Sequence, residues 1–410
     1  MSRRRLQREI ATGEADYRLV SCAAQHPSRV FPYQAVFNHR SHEALSQLGV
    51  DIDVVSPTPF APPVGPYSEY SDIPKVERIG SYRVHSPRFL YALPKRYFYH
   101  VSGNSLAKRT TAYLERNFDV PDVLQACSIY LDGYGLVPYA QRHDVPLFVV
   151  AHGDVLLYAD QLSGRVRRKV HETLDACEGV LCVSEDFAER AERLTDPEKV
   201  SVVPIGANPD RFPVERRDEI RAAFGVAPDE PVVLFCGTFD ERKGVPELAE
   251  AIRGLDDADA RFVGVGHSGD HQSTLADALR ESDLPWKLRR GVPDDELRKW
   301  FAAADLLVLP SHAEGRPTVI YEAMASETAV LGGDAGGIPE QVVDGETGVL
   351  VPPGDPAALR DALADLLADH ERLREMGRRG YERLVEQGWT WERHAERVTS
   401  IHSEALDHHE

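Results

Sequence analysis

Short apolar runs alternate along the chain with stretches in which apolar positions return every third or fourth residue. These are the periods of buried strands and of helices packed against them. Residues 18–24, 50–60, 121–127, 146–153, 179–184 and 199–208 read as strands. Helices are predicted over 36–49, 104–117, 135–143, 166–176 and 186–194. After Arg211 the pattern restarts, with strands expected in 230–237, 260–266, 288–292, Asp305 to Leu309, Ala329 to Leu331 and 347–353. The intervening helices are predicted over 245–255, 274–282 and 294–304 and from about Thr318, followed by one long helix over 355–377. Two successive alternations of this kind predict an α/β protein built from two doubly wound, Rossmann-like domains facing a central cleft. The expected boundaries are 1–211 and 212–387. A terminal helix over about 388–410, broken near Trp389 and Trp391, either crosses back to the first domain or packs on the second. Residues 58–98, rich in Pro, Tyr and Ser, read as a long insertion or as a peripheral β extension.

A chain of 410 residues is too long for one hydrophobic core, which agrees with two domains. The formal net charge of −19 argues against nucleic acid as a partner, because phosphate backbones select clustered Lys and Arg. No apolar run is long enough to span a membrane, and the basic start, residues 1 to about 15, reads as a loose arm without the apolar region of a secretory signal. The five scattered cysteines fit a reducing, cytoplasmic compartment better than a disulfide framework, and Cys177 and Cys182 fit a helix end entering a strand better than a zinc knuckle.

Candidate chemistry concentrates between Ala304 and Glu340. A strand there runs into a loop of small and polar residues (310–317), a helix, a second strand and the glycine-rich turn 332–337. Open α/β sheets bind ligands outside the carboxyl ends of their strands, which is where these loops lie. Glu314 falls in the first loop and Glu322 in the opening turns of the helix, so both carboxylates can reach one crevice. The plainer reading is that Glu314 faces solvent and Glu322 supports the helix start through its dipole.

The ordered motifs VVAHGDV around His152, IGANPDRF ending at Phe212, LFCGTFDERKG around Lys243, VGVG ending at Gly266, and PSHAEGRPTVIYEAMASETAVLGGDAGGIPEQVVDGETGVLVPPGD resemble the retaining glycosyltransferases of GT-B fold. That is the group containing sucrose synthases and phosphatidylinositol mannosyltransferases. The resemblance spans about residues 145 to 356. It implies transfer of a hexose from a nucleoside diphosphate sugar to a hydroxyl acceptor such as a glycan, a glycolipid or a lipid-linked sugar. No metal and no cofactor are expected.

The resemblance also implies roles for particular residues. Glu322 would accept from the ribose hydroxyls, Glu314 would lie by the transferred sugar, and Lys243 would neutralise the diphosphate. Gly336 and Gly337 would let donor oxygens approach the backbone, and Gly266, His267 and Val292 would line the base and sugar. On the acceptor side His152 would face the sugar, with Ala35 and His39 near the mouth and His42 beside them. His312 lies in the donor loop. Three departures stand out: Ala35 replaces an expected glycine, Ile205-Gly206-Ala207-Asn208 replaces the usual junction motif, and Thr238 replaces an expected arginine. Lys243 would then carry more of the diphosphate's charge, or Thr238 would bind phosphate through its hydroxyl and the adjacent backbone N–H, with Arg242, which otherwise reads as facing solvent, swinging in as the substitute cation.

Rival readings on the same scaffold are a catalytically inactive binding protein and a nucleotide-sugar epimerase. A glycoside phosphorylase would need a signature that is not visible. Six tyrosines (Tyr67, Tyr70, Tyr82, Tyr91, Tyr97, Tyr99) near Lys95, Arg96 and Arg109 allow peripheral contact with a membrane. Oligomeric state is not legible.

Overall fold

The computed structural model describes residues 17–60, 64, 67–92, 95–255 and 259–409. The basic arm expected at the start lies outside them. The chain divides into two compact units, one made of Met1–Ile205 with Trp391–Glu410 and the other of Gly206–Thr390.

In the first unit, apolar runs such as Leu147–Ala151 and Gly179–Cys182 are buried along their whole length, as strands covered on both faces must be. The strand order is Val200–Val202, Gly179–Cys182, Leu147–Ala151, Val123–Ala126, Arg18–Cys22, Asp51–Val55, Tyr82–His85, Val76–Ile79. All pairs are parallel except the last, a hairpin turning at Gly80, whose φ is 59°. Residues 58–98 therefore supply a β extension at the sheet edge, together with the short pair Thr58–Pro59 and Arg88–Phe89. The order of the strands reverses between Val123–Ala126 and Arg18–Cys22, which opens a crevice at their carboxyl ends. The terminal helix Trp391–His409 packs on helix Val36–Gln47. Nε2 of His394 lies 2.9 Å from Oγ of Ser41, and the Tyr17 hydroxyl lies 2.8 Å from Nδ1 of His402.

The second unit is a wholly parallel sheet in the order Trp286–Arg290, Arg261–Gly266, Val232–Cys236, Leu306–Leu309, Ala329–Gly333, Gly348–Val351. Its core joins Phe235, Val308 and Leu331 of the sheet to Leu248 and Ile252 of helix Val245–Arg253 and Leu363 of helix Pro356–Leu367. Asp305 ties the first helix, Arg217–Phe224, to the sheet. It accepts from Arg217 at 2.6 Å, from Arg221 at 3.0 Å and from the N–H of Val232 at 2.8 Å.

One long helix was expected over 355–377, and two are found, Pro356–Leu367 and His370–Glu386. Asp369 breaks the run because its carboxylate caps the second helix, accepting from the N–H of Arg372 at 3.0 Å.

Candidate functional site

Three loops meet at the carboxyl ends of adjacent strands in the second unit. The first follows Val232–Cys236 and is braced by Asp240, which was not singled out from the sequence. Its Oδ1 accepts from the N–H of Lys243 at 3.0 Å, and its Oδ2 accepts from the hydroxyl of Thr238 at 2.5 Å. An Asp placed three residues before Lys243 and ahead of a short helical turn is a capping signal, and that pattern was present in the sequence. Thr238 thus spends its hydroxyl proton inside the loop. At Gly244 the φ is 69°, and a Cβ would fall 2.1 Å from the carbonyl oxygen of Pro310, so only glycine lets this loop close on the second.

The second loop, 310–317, is fastened by the N–H of His312 donating to the carbonyl of Arg242 at 2.8 Å. It delivers Glu314, only 6% exposed, to two cations. Nζ of Lys243 donates to Oε1 at 2.5 Å, and Nη1 of Arg242 donates to Oε2 at 3.3 Å and to the carbonyl of Ala313 at 3.2 Å. Arg242 is therefore turned into the loop cluster rather than wholly toward solvent, because the buried carboxylate offers it a partner. A carboxylate this deep is tolerated only when paired; stripping one partner from such a pair typically costs about 3–5 kcal/mol.

The third loop is the glycine-rich turn. The N–H of Gly337 donates to the carbonyl of Glu314 at 3.1 Å. Gly336 has a φ of 55°, and a Cβ there would sit 2.0 Å from the same oxygen. The glutamate's position thus depends on backbone contacts that a side chain would abolish.

Glu322 is buried in helix Thr318–Ala325, directly after the second loop. Gly266 abuts the first loop, since a Cβ on it would lie 2.3 Å from the carbonyl oxygen of Gly237. His267 follows it at the surface. Val292 is buried after the edge strand Trp286–Arg290, which is a further strand away. His312 turns to Glu247, with Nε2 3.1 Å from Oε1. Arg316, also not singled out beforehand, pairs with Glu340 at 3.3 Å and lies 4.9 Å over the ring of Trp389.

In the first unit the residues expected on the acceptor side gather around the start of helix Val36–Gln47. Ala35 takes a left-handed backbone, φ 45° and ψ 50°. The ring of His152, just past strand Leu147–Ala151, lies 4.6 Å from that of Phe37, and burial pushes its pKa down to about 3, so the imidazole is neutral near pH 7. Nδ1 of His39 is 2.6 Å from the hydroxyl of Tyr82. His42 differs from expectation. It is buried against the sheet, 2.8 Å from Oγ of Ser21, because its helix face turns inward. Tyr82, one of the tyrosines read as a surface group, is likewise buried and bonded to His26 and His39.

Comparison with known proteins bears on the fold and the family. The family model of glycosyl transferases group 1 matches residues 216–383, and that of Glycosyltransferase Family 4 matches residues 34–211. The chain is 29% identical over 357 residues to a putative teichuronic acid biosynthesis glycosyltransferase, TuaC, of Bacillus subtilis, covering 85% of this chain and 88% of that one. It is 35% identical over 234 residues to a D-inositol 3-phosphate glycosyltransferase of Nocardia farcinica, covering 53% of this chain and spanning about half, 51%, of that relative's length. The fold is that of sucrose-phosphate synthase from Thermosynechococcus elongatus, with a TM-score of 0.78 at 22% identity over 95% of this chain and 99% of the other. Anabaena HepE in complex with UDP and glucose is also similar, with a TM-score of 0.70 at 17% identity over 95% and 99% of the two chains.

Proposed function

Because the chain belongs to the GT-B glycosyltransferases of group 1, we propose that it moves a hexose from a nucleoside diphosphate sugar to a hydroxyl acceptor with retention of anomeric configuration. The observation that carries this reading is the convergence of Lys243 and Arg242 on the buried carboxylate of Glu314. A diphosphate entering beside them meets two cations and the backbone of the glycine-rich turn at Gly336 and Gly337. Glu322 accepts from the ribose. As the bond from the anomeric carbon to the diphosphate breaks, the negative charge that accumulates on the leaving oxygen is met by fixed cations, the largest contribution such a site makes. The acceptor oxygen bonds to the anomeric carbon and its proton passes to the departing diphosphate, so both substrates are accounted for. Glu314, held by two cations, is not placed as a free nucleophile, and so the two glutamates do not form the flanking pair of a glycosidase.

His152, neutral, serves as a hydrogen-bonding group toward the sugar rather than as an acid. The reading includes turnover without a divalent metal, since side-chain cations meet the diphosphate. It also includes a cytoplasmic location, which the scattered, buried cysteines suit. The test is a screen of nucleoside diphosphate sugars for slow hydrolysis and transfer, with the anomer of the product read by NMR before and after exhaustive EDTA treatment. An inverted product overturns retention, and activity lost to EDTA and restored by manganese overturns metal independence.

A further inference from the structure

Helices Lys95–Asn117 and Gly164–Ala176 of the first unit run side by side in the same direction. Nη1 of Arg165 lies 3.1 Å from Nε2 of His100, and Nζ of Lys169 lies 2.5 Å from Oδ1 of Asn104. Along the amino-terminal half of the first, large apolar side chains stand in water. Tyr97 and Phe98 are 64% and 45% exposed at the start of the first helix. Leu90, 55% exposed, is tied to that helix by its N–H, which donates to Oγ of Ser105 at 2.9 Å. Phe60, 69% exposed, follows the strand paired with Arg88–Phe89, its N–H donating to the carbonyl of Phe89 at 2.8 Å. These four side chains thus belong to one connected region rather than being scattered, and grouped exposure of this kind marks a contact surface.

The start of helix Gly164–Ala176, which lies against this region, is basic on a chain whose net charge is −19. Arg165, Arg167 and Arg168 are exposed in the opening turns of Gly164–Ala176, and the first turn of neither helix holds an acid. The acids of that helix, Glu172 and Asp175, fall in its carboxyl-terminal half. Cations at the positive end of a helix and acids at the negative end oppose the helix dipole, so folding does not account for the order. An anionic surface would.

We propose that this face docks the protein on a bilayer containing anionic lipid. The aromatic and aliphatic side chains enter the boundary between headgroups and acyl chains, and the guanidinium groups meet headgroup phosphates. A soluble acidic glycan would satisfy the arginines but leave Phe60, Leu90 and Phe98 in water, which favours the bilayer. In a parallel sheet each helix begins on the side where the preceding strand ends, so this face borders the crevice at the carboxyl ends of the first unit's strands. Resting on the transfer reading above, the proposal makes the acceptor a hydroxyl carried on a membrane lipid.

The experiment sediments the chain with vesicles of phosphatidylcholine alone and with added phosphatidylglycerol, at low and high salt. Co-sedimentation is expected with the anionic vesicles only, weakened by salt. The double variants Arg165→Glu with Arg168→Glu, and Tyr97→Ser with Phe98→Ser, each weaken it by about tenfold or more. Arg374→Glu, an exposed reversal on helix His370–Glu386, serves as the control and leaves binding unchanged. All these changes are at exposed positions, and unaltered thermal unfolding verifies the fold. Wild-type binding that ignores anionic lipid, undiminished binding by both double variants, or retention on dextran sulfate without vesicle binding overturns the proposal. Donor hydrolysis measured without vesicles reports separately: turnover without docking removes this proposal alone, and docking without turnover removes the transfer reading alone.

Discussion

Lys243 donates through Nζ to Oε1 of Glu314 at 2.5 Å, with 12% of the lysine side chain and 8% of the glutamate side chain exposed. On the transfer reading proposed above, the donor's diphosphate shares or takes over this lysine. Losing one such transition-state contact costs on the order of 3 kcal/mol, about a hundredfold in rate. Lys243→Ala should lower kcat by that factor. Arg242→Ala, at a more exposed cation, should mainly raise the donor KM. Thr238→Arg should not restore what Lys243→Ala removes, because a guanidinium at 238 emerges beside Asp240, which already holds the Thr238 hydroxyl. Steady-state kinetics of the three variants decide the matter, and unchanged kinetics in Lys243→Ala would place the diphosphate elsewhere.

Gly336→Ala tests how far the second loop depends on the third. Its Cβ would collide with the carbonyl oxygen of Glu314, and its backbone is left-handed. Donor affinity should fall more than tenfold, together with a loss of about 1–3 kcal/mol of stability from strain and displacement. Titration with the nucleoside diphosphate of the donor found in the screen, and thermal unfolding, read the two effects independently.

Ala35 holds a φ of 45° at the start of helix Val36–Gln47, a conformation that costs a residue with a Cβ roughly 1 kcal/mol or more. Ala35→Gly should therefore stabilise the first unit by about 0.5–1 kcal/mol, the strain relieved exceeding the added freedom of the unfolded chain. Denaturant unfolding measures it, and a loss of stability would show that the methyl group packs usefully.

Acid and base act on the first unit in opposite senses. Burial lowers His26 and His394 to about 4 and His402 to about 3, from 6.5. Their contribution is complete above about pH 6.5 and is lost as pH falls through 4 to 3. Burial raises Asp132 from 3.8 to about 7, against the N–H of Ala24 and the hydroxyl of Ser128, which favour its ionised form. Its contribution is present below 3.8 and is lost as pH rises through 7. Asp132→Asn, which keeps an acceptor for Ala24, should thus stabilise the protein more at pH 8 than at pH 5, by on the order of 2 kcal/mol. Unfolding temperatures of both proteins across that range check the sign, and a pH-independent difference would mean that Asp132 is not ionising there.

The sequence by itself determined the elements and their class. Buried strands such as Val232–Cys236 and Leu306–Leu309 are continuous apolar runs, and the helices between them repeat at helical period, so α/β alternation was legible from local pattern alone. The glycines that close the loops, Gly244 and Gly336, were visible as residue types, and the ordered motifs around them pointed to glycosyl transfer. Only the tertiary structure decided which polar groups meet. Lys243 and Glu314 are 71 residues apart and come together because Val232–Cys236 and Leu306–Leu309 are neighbours in the sheet. That pairing also turned Arg242 into the cluster and left Thr238 to Asp240. His42 and Tyr82 read as exposed polar positions, yet both lie inside, because each found a hydrogen-bond partner on a distant element. Hydrophobic period is a property of a few neighbouring residues. The partner of a buried charge or imidazole depends on the order of strands in the sheet, which no local stretch of sequence encodes.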